Sequence, residues 1–177
     1  MTTRHLYVDE SKRRGYVMVA SVHVGDHLET VRSVVKTLLL PGQRYLHMKD
    51  ENDGRKRRIA ANLVAAGVEA TVYQAGPQHR HDKERRAACL EALVDTHADG
   101  QPTRLVIERD MGLVKFDNQH LIEFTRAAQC RDVFSYHHRD KHEELLLGIP
   151  DAIAWCWAKG GEWRQLIKPV VIRVVDV

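Results

Sequence analysis

The sequence predicts an α/β fold, a mixed β-sheet with helices on both faces. Two observations carry this. Apolar, strand-favouring runs at residues 6–8 and 16–24 follow one another across a short basic turn, Lys12-Arg13-Arg14-Gly15, which suits an antiparallel hairpin. Beyond them, strand-like runs alternate with stretches of helical period, the pattern of parallel crossovers. A length of 177 residues, 44% hydrophobic and 29% charged, suits a single domain over residues 1–177 with an ordinary core.

Each element follows in turn. The first run, Leu6-Tyr7-Val8, stops at two carboxylates, Asp9 and Glu10. Ligands of α/β sheets sit beyond the carboxyl ends of strands, so acids there are either site residues or ordinary turn residues. Leu28, Val31, Val34, Val35 and Leu38 recur at helical spacing over 27–40, with Asp26 as cap and Pro41-Gly42 as stop. Residues 43–48 (Gln-Arg-Tyr-Leu-His-Met) read as a short strand and 49–54 as a polar turn. A basic helix over 55–66 carries Ile59, Leu63 and Ala66 on one face and closes at Gly67. Alternation over 68–73 marks a strand, 74–81 a loop, and 82–98 a longer helix.

Residues 103–108 (Thr-Arg-Leu-Val-Ile-Glu) form the clearest buried strand, ending in Glu108, with Asp110 on the same face if the strand continues. A helix over 117–128 and a strand over 131–137 come next. A helical region begins over 141–147 and Gly148 interrupts it. Pro150 and Asp151 then stand in the first turn of a helix that runs to Lys159 and ends at Gly160-Gly161. Residues 168–177 make the last strand. Trp155 and Trp157 face different ways on their helix, one toward core and the other toward an interface.

Composition bounds the function classes. The net charge of +3 permits a nucleic-acid partner without demanding one. Arg55, Lys56, Arg57 and Arg58 form one basic cluster, and Lys83, Arg85 and Arg86 another; such clusters either meet phosphates or are solvated helix faces. No apolar run approaches the ~20 residues of a membrane-spanning helix, and the N-terminus has no signal-peptide core. Cys89, Cys130 and Cys156 are far apart and lack zinc-ligand spacing, which points to a reduced, cytoplasmic protein. No glycine-rich phosphate loop is present. His137, His138 and His142 have no cysteine or acid motif to complete a soft-metal site.

The antiparallel opening, the acid on the first strand and the acid on a late helix are together similar to the ribonuclease H-like fold. More narrowly, Tyr7-Val8-Asp9-Glu10-Ser11 resembles the opening signature of the bacterial family called domain of unknown function 3800, an apolar strand running into Asp-Glu-Ser-Gly. Leu46-His47-Met48-Lys49, Val106-Ile107-Glu108 and Ile149-Pro150-Asp151-Ala152-Ile153-Ala154 resemble three further stretches of it. The sequence departs from that pattern at Lys12 in place of glycine, at Glu108 in place of the commoner aspartate and at Pro150 in place of a small residue. Glu108 also falls one strand later than the ribonuclease H order places its acid.

What the resemblance implies is a nuclease hydrolysing DNA or RNA by a carboxylate two-metal mechanism with Mg²⁺ or Mn²⁺. Asp9, Glu108 and Asp151 are the first choice of ligands, with Glu10, Asp110 and Glu144 in reserve. His47 is placed to pass a proton to the leaving group, and Lys49, Arg55, Lys56 and Arg58 to contact nucleic acid. Membrane is not an expected partner; a homodimer or a partner protein is compatible with the pattern. The alternative, motivated by the departures, is a non-catalytic ribonuclease H-like module that binds nucleic acid or protein.

Overall fold

The computed structural model describes residues 1–177. Strands are β1 (Arg4–Ser11), β2 (Tyr16–Val24), β3 (Glu69–Ala75), β4 (Thr103–Glu108), β5 (Phe134–Arg139) and β6 (Val171–Asp176). Helices are α1 (His27–Leu38), α2 (Asp53–Ala65), α3 (Asp82–Thr96), α4 (Val114–Ala127), α5 (Gly148–Lys159) and α6 (Gly161–Ile167). The hairpin forms as the sequence predicts: β1 and β2 pair antiparallel from Arg4↔Val24 to Ser11↔Val17. Its turn passes through Arg14 and Gly15 at φ 54° and 115°, and the second value lies where glycine is at ease.

The sheet has the order β5-β4-β1-β2-β3-β6. β2 runs antiparallel to both neighbours, whereas β1, β4 and β5 are parallel, as are β3 and β6. Both faces are covered, which is why β1 and β2 are apolar on both sides rather than alternating. On one face Tyr7, Val17 and Val19 pack against α1, α2, α5 and α6. On the other Leu6, Val8, Tyr16 and Met18 pack against α3 and α4. Strand alternation therefore sends Asp9 to the α5 face and Glu10 to the α3 face.

Several sequence expectations change. Residues 43–48 are not a strand; they form an irregular segment leading into a short 3-10 turn, Met48–Asp50. Leu46 and Met48 alternate because both are buried, but the surface that buries them is the start of α5. A Cβ at Gly148 would lie 3.0 Å from Leu46 Cβ, so this glycine sets how closely segment and helix approach. Gly148 does not interrupt a helix: it is the first residue of α5, entered through the 3-10 turn Leu145–Leu147, and residues 141–144 are loop. With one strand fewer before it, Thr103–Glu108 becomes β4 and pairs directly with β1, so its acid is not displaced from the ribonuclease H order. Residues 161–167, read only as following a helix end, make the separate helix α6 after a turn at Gly160, φ 74°. β4 stops at Glu108, α4 starts at Val114, β5 starts at Phe134 and β6 at Val171. Asp26 precedes α1 without a side-chain cap bond.

Candidate active site

Strand register builds the core of the site. β1 and β4 run in parallel with Val8 opposite Ile107, so one step further Asp9 stands beside Glu108 on the same face. α5 packs its buried stripe across β1 and β2, and its first turn delivers Asp151 to the same end of the sheet. The loop after β5 supplies the residue on which all three converge. Lys141 Nζ lies 3.3 Å from Asp9 Oδ2, 2.6 Å from Glu108 Oε1 and 3.5 Å from Asp151 Oδ1. Its side chain is only 7% exposed.

Two of the acids are also fixed by a backbone N–H. Asp9 Oδ1 accepts the Glu10 N–H at 2.7 Å, and Asp151 Oδ2 accepts the Met48 N–H at 2.8 Å. Burial pushes the Asp9 carboxyl well above its ordinary range, against the pull of Lys141; the Glu108 and Asp151 charges add to the rise. Burial alone would raise Glu108 too, but its hydrogen bond with Asp9 and the Lys141 ammonium hold it below its ordinary value. Lys141 would be lowered by burial, yet the Asp9, Asp151 and Glu108 charges lift it above the usual lysine range. The cluster thus holds one buried ammonium among three carboxyl groups.

Two clefts reach this cluster. One, of about 450 Å³, is lined by Asp9, Glu10, Arg86, Glu108, Arg109 and Asp110 among others. The other, about 260 Å³, lies between Tyr45, His47, Glu108, Asp140, Lys141 and His142. His47 is half-buried on its wall, with Nδ1 3.0 Å from Asp50 Oδ2 and Nε2 3.8 Å from Asp151 Oδ1.

The fold has counterparts among solved structures. It is similar to a chain in the structure of the PCNA:RNase HII complex from Archaeoglobus fulgidus, with a TM-score of 0.56 and 11% identity over 96% of this chain and 79% of that one. The fold is ribonuclease H-like. At that identity the likeness extends to the fold alone. No family model matches the sequence, nor does any curated protein, so the resemblance to domain of unknown function 3800 rests on the quoted motifs only. No helix is long and apolar enough to cross a membrane.

Within this ribonuclease H-like frame the predicted residues separate. Asp9, Glu108 and Asp151 come together, and His47 borders them. Glu10 does not join: on the opposite face it accepts from Arg86 Nη1 at 2.8 Å and from the Tyr16 hydroxyl. Asp110 does not share a face with Glu108, because β4 ends first; it is exposed in a turn and accepts the Gly112 N–H at 3.0 Å. Glu144 is taken by Arg32 at 2.8 Å. Of the basic helix, Arg55 bonds Glu51, Arg57 pairs with Glu162, and Lys56 is buried with its ammonium 4.4 Å from the Trp155 ring centroid. Arg58 and Lys49 are exposed.

Two buried cations are absent from the residues the sequence singled out for the site. Lys141 carries no local signal, being one lysine in a polar run after a strand. Arg86 did carry one: it shares the helical phase of Leu90 and Leu93, and it is buried in a bidentate pair with Asp117, at 2.7 and 2.8 Å. His138 Nε2 completes that network 2.9 Å from Asp117 Oδ2. His142 does meet acids, contrary to the sequence reading: ligand atoms of Asp140, His142 and Glu143 lie within 4.8 Å of one another. Arg109 already engages both acids, at 3.1 and 3.5 Å.

Proposed function

We propose that this chain is a divalent-metal-dependent nuclease hydrolysing phosphodiester bonds of DNA or RNA. The reading is carried by the convergence of Asp9, Glu108 and Asp151, from two strand ends and a helix start, on a single buried cation position. The donor set fits Mg²⁺ or Mn²⁺, hard ions that take carboxylate oxygens. Asp9, Glu108 and Asp151 would hold the ion. Bound there, it would lower the pKa of water and stabilise charge on the phosphate. Of the acids in reserve, Glu10 is held by Arg86 and Glu144 by Arg32, whereas exposed Asp110 lines the same cleft as Asp9 and Glu108, so one seat is fully built and Asp110 is the acid open to a second ion.

The chain's own groups supply the rest. His47, oriented by Asp50 and open to the smaller cleft, is placed to give a proton to a leaving oxygen. Trp155 stands one helical turn beyond Asp151 on the same face of α5. Around its ring are Lys56 at 4.4 Å, Arg13 at 5.9 Å and Lys159 at 6.0 Å. Lys56 sits over the indole and the Trp163 ring meets it edge-on at 5.0 Å, so the ring holds these cations in place; the positive groups gathered there suit phosphates, and Lys49 and Arg58 are exposed to meet others.

The test is Mn²⁺ calorimetry on wild type and Asp9→Asn, with labelled single- and double-stranded DNA and RNA incubated in parallel. Metal binding and cleavage in the wild type, both lost in Asp9→Asn, support the reading; cleavage unchanged in Asp9→Asn ends it. A second reading, a non-catalytic binding module, is favoured by Lys141, whose ammonium already fills the seat. It expects salt-sensitive nucleic-acid binding that survives Asp9→Asn, and no cleavage.

A further inference from the structure

We infer that Lys141 is a tethered competitor of the metal: its ammonium and a divalent ion use the same seat, and the site loads only when the lysine swings out. The inference rests on the proposed metal seat, not on the identity of the substrate. Three contacts, at 2.6, 3.3 and 3.5 Å, tie one Nζ to acids from β1, β4 and α5. An ammonium there and a dication bound to the same oxygens would stand within a few ångströms of each other. Like charges at ~4 Å repel by several kcal/mol even at the effective dielectric of a protein surface, so the two cannot be seated together.

The surroundings allow the exchange. Lys141 belongs to a loop, not to a strand or helix, and its four-carbon stem is flexible. The cleft of about 260 Å³ beside it, lined also by Tyr45, His47, Asp140 and His142, has room for the displaced side chain. The acids themselves do not need to move: Asp9 is held by a backbone N–H at 2.7 Å and Asp151 by another at 2.8 Å. The lysine is therefore the movable member of the cluster, and the carboxylates form a preset cradle. A purely structural lysine would instead stay in place whatever ion was added.

Two measurements decide. Calorimetric titration of Mn²⁺ into wild type and Lys141→Met is expected to show at least ~10-fold tighter binding in the variant, since one repelling charge is gone. In wild-type protein, acetylation of Lys141 followed by mass spectrometry is expected to be slow without metal and several-fold faster in millimolar Mn²⁺. Equal affinity in the two proteins overturns the inference, as does a labelling rate indifferent to Mn²⁺. The labelling arm decides alone if Lys141→Met does not fold. Tighter Mn²⁺ binding by Lys141→Met without cleavage of any substrate leaves the inference standing and removes the nuclease reading. Wild-type cleavage with equal Mn²⁺ affinities does the reverse.

Discussion

Replacing Arg86 by methionine keeps most of the buried stem and removes the charge. In the wild type this guanidinium holds Asp117 in two bonds, at 2.7 and 2.8 Å, and Glu10 in a third at 2.8 Å. Asp117 has no solvent exposure, so in Arg86→Met only His138 remains to answer its charge. Removing one partner of such a pair costs about 3–5 kcal/mol. In a domain of this length 1 kcal/mol moves Tm by roughly 2–4 °C, which gives a fall of about 6–20 °C. Thermal unfolding followed by circular dichroism at neutral pH reads it. Arg86→Met/Asp117→Leu should recover a good part of the loss, because it also removes the orphaned acid. A Tm within ~2 °C of wild type would refute the reasoning.

The same network sets an acid limit. Burial alone would raise Asp117, but the Arg86 bonds and then His138 hold it below the ordinary carboxylate range. A lowered folded pKa means the contribution is complete above the unfolded value, ~3.9, and fades as pH falls through the folded one. Arg86→Met should lose that dependence.

Three further outcomes follow from named residues. Gly148→Ala brings a Cβ to 3.0 Å from Leu46 Cβ and should destabilise by roughly 1–3 kcal/mol in urea unfolding; an unchanged midpoint would show that the segment yields freely. Burial, then the charges of His27 and His5, lower His23 to about 4, so stability should be full above the unfolded value of ~6.5 and decline towards pH 4; His23→Phe should flatten that slope in denaturation at stepped pH. Replacing exposed Lys49 and Arg58 together by alanine should weaken binding of labelled single-stranded oligonucleotide and flatten its salt dependence, measured by anisotropy at stepped salt; an unaltered salt slope would take these two side chains out of the strand path.

The sheet's centre was legible because its signals are local. The turn at Lys12–Gly15, two apolar runs and a strand ending in Glu108 place the first acids without any knowledge of the fold. Segment 43–48 misled because alternation reports which side chains are buried, not what buries them. Leu46 and Met48 meet α5, a hundred residues on, through a gap that only glycine at 148 leaves. The same limit hid Lys141 and separated Glu10 from Asp9. Adjacent acids on a strand point to opposite faces, and only the helices packed there decide which face becomes a site. Arg86 and Lys56 show the converse. Each was counted with its basic neighbours, although its phase with apolar residues of its own helix marked it as inward-facing.

The acid cluster also has a history in the folding reaction. Its members stand at positions 9, 108, 141 and 151, so almost the whole chain must be in register before they meet. No fragment ending before α5 has Asp151, and the β1–β2 hairpin by itself brings Asp9 without Glu108, Lys141 or Asp151. Closing loops of that length before the contacts reward it is the slow part of assembling a parallel sheet. The seat is therefore a late product of folding. Partly folded chains would not carry it, and Lys141 offsets part of the repulsion among the three acids when they are finally forced together.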